Sequence, residues 1–102
     1  MSVDTVNKEQ TKNKQKTKKP KMYAVIFIND NYTTMDFVIY LLQKVFNKNE
    51  ESAVQIMLEI HTKGKSQVGV YSLQIAEQKT YESKILAKEN NYPLQVIMQE
   101  LD

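Results

Sequence analysis

The sequence predicts a small single α+β domain with the element order β-α-α-β-α-β, a three-stranded antiparallel sheet and helices packed on one face. Its length of 102 residues is close to the commonest size of one domain. Three amphipathic segments at helical spacing are interspersed with three short strand-like segments. We expect the folded domain to span residues 22–102 and to follow a disordered, Lys-rich N-terminal extension over residues 1–21.

The first two predicted elements are a strand and a helix. The segment Met22–Ile28, MYAVIFI, is apolar on both alternating faces, which is typical of a strand at the centre of a sheet. In the following segment, TTMDFVIYLLQKVF, Thr33 is the predicted N-cap and Asp36 favours the helix start. The predicted buried stripe of this helix consists of Phe37, Leu41 and Val45.

A second helix and a second strand come next. Asn49 is the predicted N-cap, and Gly64 is the predicted C-terminal stop. The apolar positions at helical spacing are Ala53, Met57, Leu58 and Ile60. The strand covers residues 66–72 and contains Gly69, which predicts a bulge or a close approach of another group to the backbone.

The last two elements are a long amphipathic helix, LQIAEQKTYESKILAKENN, and a closing strand, LQVIMQE, which follows Pro93. The residues expected on or near the buried side of the helix are Ile75, Ala76, Tyr81, Ile85 and Leu86.

The charge of the chain is unevenly distributed. The formal net charge is +2, but residues 1–21 carry +5 and residues 22–102 carry −3. A Lys-rich tail can neutralise nucleic-acid phosphates. However, the chain has no Arg to bind guanine through two hydrogen bonds, and the tail has no aromatic residue to stack on bases. We therefore expect no nucleic-acid partner, and a tail-mediated nucleic-acid binder is the third alternative.

Several other classes of protein are disfavoured. The chain has no Cys, and His61 is its only histidine, so thiolate sites, a cysteine nucleophile and two-histidine metal sites are excluded. The two glycines form no phosphate-binding loop. We expect no catalytic residue, metal or cofactor, and hence no enzyme. No apolar run approaches the ~20 residues that cross a membrane, so we expect a soluble, cytoplasmic protein.

A polar turn, Asn29–Asn31, separates the first strand from the first helix, and it is either a plain turn or part of a binding site. Its amide and carboxylate oxygens, together with an imidazole nitrogen of His61, could accept hydrogen bonds from an ammonium group. Four apolar residues suit a plain core equally well, but they could line a cup beside these acceptors: Met35, Val38, Met57 and Ile60. Such a pair of features would recognise a free amino group attached to a large apolar side chain.

Three segments of the chain resemble ClpS, the adaptor of the Clp AAA+ protease that recognises destabilising N-terminal residues. They read INDNYTTMDFVIYLLQKVF, AVQIMLEIHTKGKSQVGVYSLQIAEQK and AKENNYPLQVIMQE, and they follow one another in the family's order between about Met22 and Glu100. The resemblance implies an adaptor that binds proteins with N-terminal Phe, Leu, Tyr or Trp. It also implies that these substrates are delivered to the N-terminal domain of a ClpA-type ATPase.

The resemblance also implies roles for individual residues. The α-amino group of the substrate would be bound by Asn29, Asp30, Asn31 and His61. The side-chain pocket would consist of Thr33, Met35, Val38, Leu42, Met57, Ile60 and Leu94, with Met35 excluding β-branched residues. The surface that contacts the ATPase would include Gln74, Glu77 and Lys79.

The chain departs from the family pattern at three positions in these segments. Asn31 replaces the commoner acid, which predicts lower affinity and weaker salt dependence. Thr34 replaces a proline at the expected first helical position, and Gln74 replaces a glutamate on the ATPase surface. The alternative from another class is a structural module, because the C-terminal domain of the ribosomal stalk protein resembles this fold. That module would carry a basic patch, whereas residues 22–102 are net acidic.

Overall fold

The computed structural model of the protein describes residues 20–102. The predicted order of elements is confirmed. The elements are β1 (Met22–Ile28), α1 (Met35–Lys44), α2 (Glu50–Lys63), β2 (Lys65–Ser72), α3 (Leu73–Glu89) and β3 (Gln95–Leu101). The predicted disordered extension lies outside the described residues, apart from its last two positions.

The sheet has the order β2-β1-β3, and both pairings are antiparallel, so β1 is the central strand as predicted. Val25 and Phe27 have no exposed surface and belong to the core between the sheet and the helices. Ala24 and Ile26, which alternate with them, are also buried. This burial on both faces of β1 explains why its sequence is apolar throughout.

The pairing of β1 with β2 contains the irregularity predicted at Gly69. Val25 pairs with Gly69 and Ile26 pairs with Gln67, so Val68 is the extra residue of a β-bulge. Gly69 also lacks a Cβ atom where the ring of Tyr71 lies over the strand. Both consequences predicted for this glycine are therefore present.

The start of α1 corrects one prediction. Thr34, not Thr33, is the N-cap, and its hydroxyl accepts a hydrogen bond of 3.1 Å from the backbone N–H of Phe37. Thr33 instead donates from its own N–H and hydroxyl to the carboxylate of Asp30, and these bonds hold it in the loop before the helix. The helix consequently begins one residue later than predicted.

Both predicted ends of α2 are confirmed. The side chain of Asn49 accepts a hydrogen bond of 2.8 Å from the N–H of Ser52. Gly64 ends the helix in the left-handed region, with φ of 92°, which glycine adopts without steric cost.

The buried side of α3 differs from the prediction. Tyr81 is 68% exposed and Ile75 is 42% exposed. Ala76 is buried as predicted, and Ile85 and Leu86 are half-buried. The other buried positions are the unpredicted Thr80, Ser83 and Ala87. Small side chains allow a helix to approach its neighbours closely, and α3 packs on all three strands. The hydrophobic pattern overestimated the burial of Ile75 and Tyr81, which lie at the edges of this close contact.

Replacement of Gly69 by Ala should lower the free energy of unfolding by about 1–2 kcal/mol, as overpacking typically does. The reason is that the added Cβ would lie 2.5 Å from Cε2 of Tyr71. Urea unfolding measures the change. The same substitution in a Tyr71→Ala background should cost much less, and an equal cost in both backgrounds would contradict this explanation.

Candidate functional site

The loop between β1 and α1, residues 29–34, is organised by Asp30. One of its carboxylate oxygens, Oδ1, accepts hydrogen bonds from the backbone N–H groups of Tyr32 (2.8 Å) and Thr33 (2.7 Å). The other, Oδ2, accepts one from the Thr33 hydroxyl at 2.7 Å. Partial burial raises the pKa of Asp30, but these hydrogen bonds to the ionised form outweigh it and hold the pKa below its ordinary value. The loop is therefore built around a carboxylate that stays charged.

The loop is fixed to the end of α2 by one backbone hydrogen bond. The N–H of Asn29 donates to the carbonyl of Gly64 at 2.9 Å. Gly64 is itself bonded through its N–H to the carbonyl of Ile60, also at 2.9 Å. Because His61 lies in the last turn of α2, this bond brings the imidazole beside the loop.

The other end of the loop is supported by the segment that follows α3. The Thr34 hydroxyl and the Tyr92 hydroxyl are 3.4 Å apart, and the Tyr92 ring centroid lies 4.7 Å from that of Phe37. Tyr92 is positioned by the turn before it, in which Asn91 has φ of 61° and the Tyr92 N–H donates to the carbonyl of Ala87 at 2.9 Å. The first turn of α1 is thus held from both sides.

These elements enclose a cavity of about 440 Å³. It is lined by Asn29, Asp30, Asn31, Tyr32, Thr33, Thr34, Met35, Val38, Met57, Ile60 and His61. Its most buried lining residues are apolar: Val38, Met57 and Ile60 are at most 7% exposed. Asn29, Asn31 and His61 are exposed, so their polar groups are accessible to a ligand. The cavity therefore combines an apolar base with several hydrogen-bond acceptors at its edge.

The cavity brings together most, but not all, of the residues predicted for the site. All four residues predicted to bind an amino group line it, and so do five of the seven predicted pocket residues. Met35 is 45% exposed and lies at the edge. Leu42 is fully buried and is not among the lining residues, whereas Leu94 lines a neighbouring depression.

Two lining residues, Tyr32 and Thr34, were not predicted. Tyr32 is 76% exposed, and its sequence position between polar residues gives no indication that its side chain would form a wall. Thr34 lines the cavity because it caps α1, a position that the prediction gave to Thr33.

The three residues of α3 that were predicted to contact the ATPase differ in their exposure. Gln74 and Glu77 are exposed. Lys79 is half-buried, and its Nζ donates to the carbonyl of Val45 at 2.7 Å. The same Nζ lies 5.8 Å and 5.4 Å from the ring centroids of Phe46 and Tyr71. Lys79 therefore joins α3 to the end of α1, where a cation is favoured by the helix dipole.

Within residues 20–102, no group of three His, Cys, Asp or Glu residues is arranged to hold a metal ion. Over the same range, no helix has both the length and the apolar character needed to cross a membrane.

Comparison with known proteins gives a consistent result. The family described as "ATP-dependent Clp protease adaptor protein ClpS" matches residues 18–97. The ClpS adapter of Clostridium acetobutylicum is 48% identical over 101 residues, which cover 99% of this chain and 100% of that protein. The ClpS adapter of Lawsonia intracellularis is 47% identical over 88 residues, covering 86% and 81% respectively.

The solved structure of Agrobacterium tumefaciens ClpS2 bound to L-phenylalaninamide is among those similar to this protein. It matches with a TM-score of 0.79 and 35% identity, covering 81% of this chain and 100% of that one.

Replacement of Asp30 by Asn should lower the free energy of unfolding at neutral pH by about 1–2 kcal/mol, because the loop loses hydrogen bonds to a charged acceptor. The lowered pKa of Asp30 sets the pH dependence. Its contribution is fully present above the ordinary carboxyl pKa of 3.8 and is lost as the pH falls through the lowered value in the folded state.

Urea unfolding between about pH 7 and pH 2 tests this expectation. The matched control is Asp36→Asn, which removes an exposed carboxylate from the first turn of α1. If Asp30→Asn and the unsubstituted protein lose stability equally over the acid range, Asp30 does not organise the loop.

Proposed function

The chain belongs to the ClpS family of ATP-dependent Clp protease adaptors, and we propose that it binds proteins that begin with a bulky hydrophobic residue and delivers them to the protease ATPase. The resemblance predicted from three sequence segments is thereby confirmed. The observation that carries the proposal is the composition of one cavity, in which buried apolar residues lie next to exposed hydrogen-bond acceptors. A bulky hydrophobic first residue with a free amino group carries both complementary features, an apolar side chain and a hydrogen-bond donor.

The acceptors provide a site for the α-amino group. In the proposed complex, the ammonium donates hydrogen bonds to the side chains of Asn29 and His61. The carboxylate of Asp30 contributes negative charge, and Oδ2 accepts only one hydrogen bond within the loop, so it retains acceptor capacity. Each charge-assisted hydrogen bond contributes roughly 1.5–3 kcal/mol. Asn31 is neutral, so the site holds one negative charge fewer than the usual family pattern.

The apolar base provides a site for the side chain. Full burial of a Phe or Leu side chain against Val38, Met57 and Ile60 contributes about 1.5–3 kcal/mol. Met35 lies at the edge, where it would contact the Cβ region of the ligand and exclude β-branched residues. Association costs an estimated 4–15 kcal/mol of translational and rotational freedom, so we expect moderate affinity. Moderate affinity suits an adaptor that must release its cargo.

The ligand of one relative supports this proposal. Agrobacterium tumefaciens ClpS2 was solved with L-phenylalaninamide bound. That compound carries a free amino group and an aromatic side chain, and its amide stands in for the first peptide bond of a protein. Its chemistry matches the two parts of the cavity described here.

Delivery requires a second surface, and we place it on α3 at a distance from the cavity. Gln74 and Glu77 are exposed there, and we assign them direct contact with the N-terminal domain of a ClpA-type ATPase. Lys79 is on the same helix, but its ammonium would have to leave the Val45 carbonyl to reach a partner. We therefore expect Lys79 to support this surface in the free protein. The N-terminal extension is proposed to take part in delivery and not in peptide binding.

A labelled peptide beginning with Phe should bind this protein with at least tenfold preference over the same peptide acetylated at its N-terminus. Acetylation removes the charge and with it about 1.5–3 kcal/mol of hydrogen bonding. Fluorescence anisotropy measures both affinities. Asn29→Ala and His61→Ala should each weaken binding of the free amine, whereas Gln43→Ala, at an exposed site of α1 outside the cavity, should not. Equal binding of the two peptides would refute the amino-group site.

A Gln74→Ala, Glu77→Lys double variant should bind the Phe peptide normally but fail to form a complex with the ATPase, because only the α3 surface is altered. Pull-down with the N-terminal domain of the ATPase measures docking, and peptide anisotropy checks the cavity. Glu89→Lys is the control, since it changes charge on the same helix about 18 Å from Glu77. Normal docking of the double variant, or loss of docking in the control, would contradict this assignment.

A further inference from the structure

A second depression adjoins the cavity and is lined by residues to which the proposed function gives no role. It has a volume of about 650 Å³ and lies along the last turns of α3 and the segment that precedes β3. Tyr32 lines both this depression and the amino-group cavity. Tyr32 therefore borders both sites, and a peptide that leaves the cavity past Tyr32 would enter the depression.

The depression is basic. Lys84 and Lys88 line it, and no acidic residue is among its described lining residues. Both side chains are exposed, and neither forms an ion pair with any residue in the range 20–102. Lys88 lies in the last turn of α3, where a cation also stabilises the helix end. Lys84 is one turn earlier and does not stabilise the helix end, so its exposed ammonium is the stronger indication of a ligand site.

The spacing of these lysines fits an extended peptide. Lys84 and Lys88 are four residues apart on one helix, so they lie on the same face, about 6 Å apart along the axis. In an extended chain, side chains two residues apart point the same way and are separated by about 6.6 Å. Two acidic side chains at alternate positions of a peptide can therefore each approach one lysine.

The remaining lining residues also suit a peptide. Tyr92 and Leu94 contribute partly or fully buried apolar surface beside the two lysines. Tyr92 is fixed by its contacts with Phe37 and Thr34. The depression is thus held by the same contacts that hold the first turn of α1, and the two sites keep a constant relation to each other.

We infer that this depression, the lysine groove, binds the substrate segment that follows the N-terminal residue and selects acidic side chains within positions two to five. The inference rests on the proposed function, because the amino-group cavity sets where the peptide begins. The complete recognition element would then be a bulky hydrophobic first residue with a free amino group, followed by an extended, acidic segment. The lysine groove would discriminate among substrates that share the same first residue.

The test compares two labelled peptides that begin with Phe and differ only at positions three and five, with Glu in one and Gln in the other. Anisotropy should give roughly three- to tenfold tighter binding of the Glu peptide at about 50 mM salt, as expected for two exposed ion pairs. The ratio should shrink at about 300 mM salt. In a Lys84→Gln, Lys88→Gln variant, with folding verified by circular dichroism, the ratio should fall to near one.

The matched control is a Lys44→Gln, Lys65→Gln variant, which loses the same charge at exposed positions outside the groove and should keep the full ratio. Equal affinities for the two peptides, or a ratio that survives in the Lys84→Gln, Lys88→Gln variant, would overturn the inference while leaving the amino-group site intact. A Gln peptide that binds no better with a free amino group than when acetylated would overturn both.

Discussion

The hydrogen bond from the Asn29 N–H to the Gly64 carbonyl is the contact on which the rest of the site depends. Asn29 directly follows the central strand of the sheet, and Gly64 is the left-handed residue that ends α2. Their bond fixes the β1–α1 loop against the last turn of α2, so groups that are about thirty residues apart in sequence line one cavity. It extends the β1–β2 pairing by one step beyond Ile28 and Lys65, and it holds the acceptors of the loop beside the imidazole of His61.

The helix α1 connects the two functions assigned to this fold. It begins at Thr34, beside the cavity, and the carbonyl of Val45 at its other end accepts a hydrogen bond from Lys79 of α3. Ten residues of helix span about 15 Å. In the proposed mechanism, this separation lets the cavity hold a substrate while the exposed part of α3 remains accessible to the ATPase. The contacts at both helix ends keep the two surfaces in a fixed relation.

Sequence patterns were sufficient for features that depend on local chemistry. The Asn49 cap and the Gly64 stop follow from interactions within a few residues. The apolar run of β1 was equally easy to interpret, because burial on both faces of a strand leaves an apolar residue at every position. The choice between Thr33 and Thr34 as N-cap was not accessible in this way, because both can cap a helix and the hydrogen bonds to Asp30 decide between them. The internal acceptor of Lys79 lies 34 residues away in the chain, so its packing could not be read from the α3 pattern.

The lining of the cavity also depends on contacts between residues that are distant in sequence, so it could be predicted only in part. Asn29–Asn31 were predicted as a group because they are consecutive polar residues, whereas Leu42 and Leu94 were assigned by family resemblance alone. Their positions depend on how α1 and the segment before β3 pack, and the packing places Leu42 in the core and Leu94 in the lysine groove. Tyr32 was missed because its side chain is largely exposed. Whether an exposed side chain lines a cavity depends on how the surrounding elements pack, which its sequence position does not indicate.

The most direct test of the central claim is a ¹H–¹⁵N NMR titration with L-phenylalaninamide and, separately, with its N-acetylated form. The free amine should shift the amide signals of residues 29–34 and those around Met57 and His61, while the acetylated compound should leave them unchanged. Shifts of equal size with both compounds, or shifts confined to other parts of the fold, would contradict the claim that this cavity recognises an N-terminal amino group.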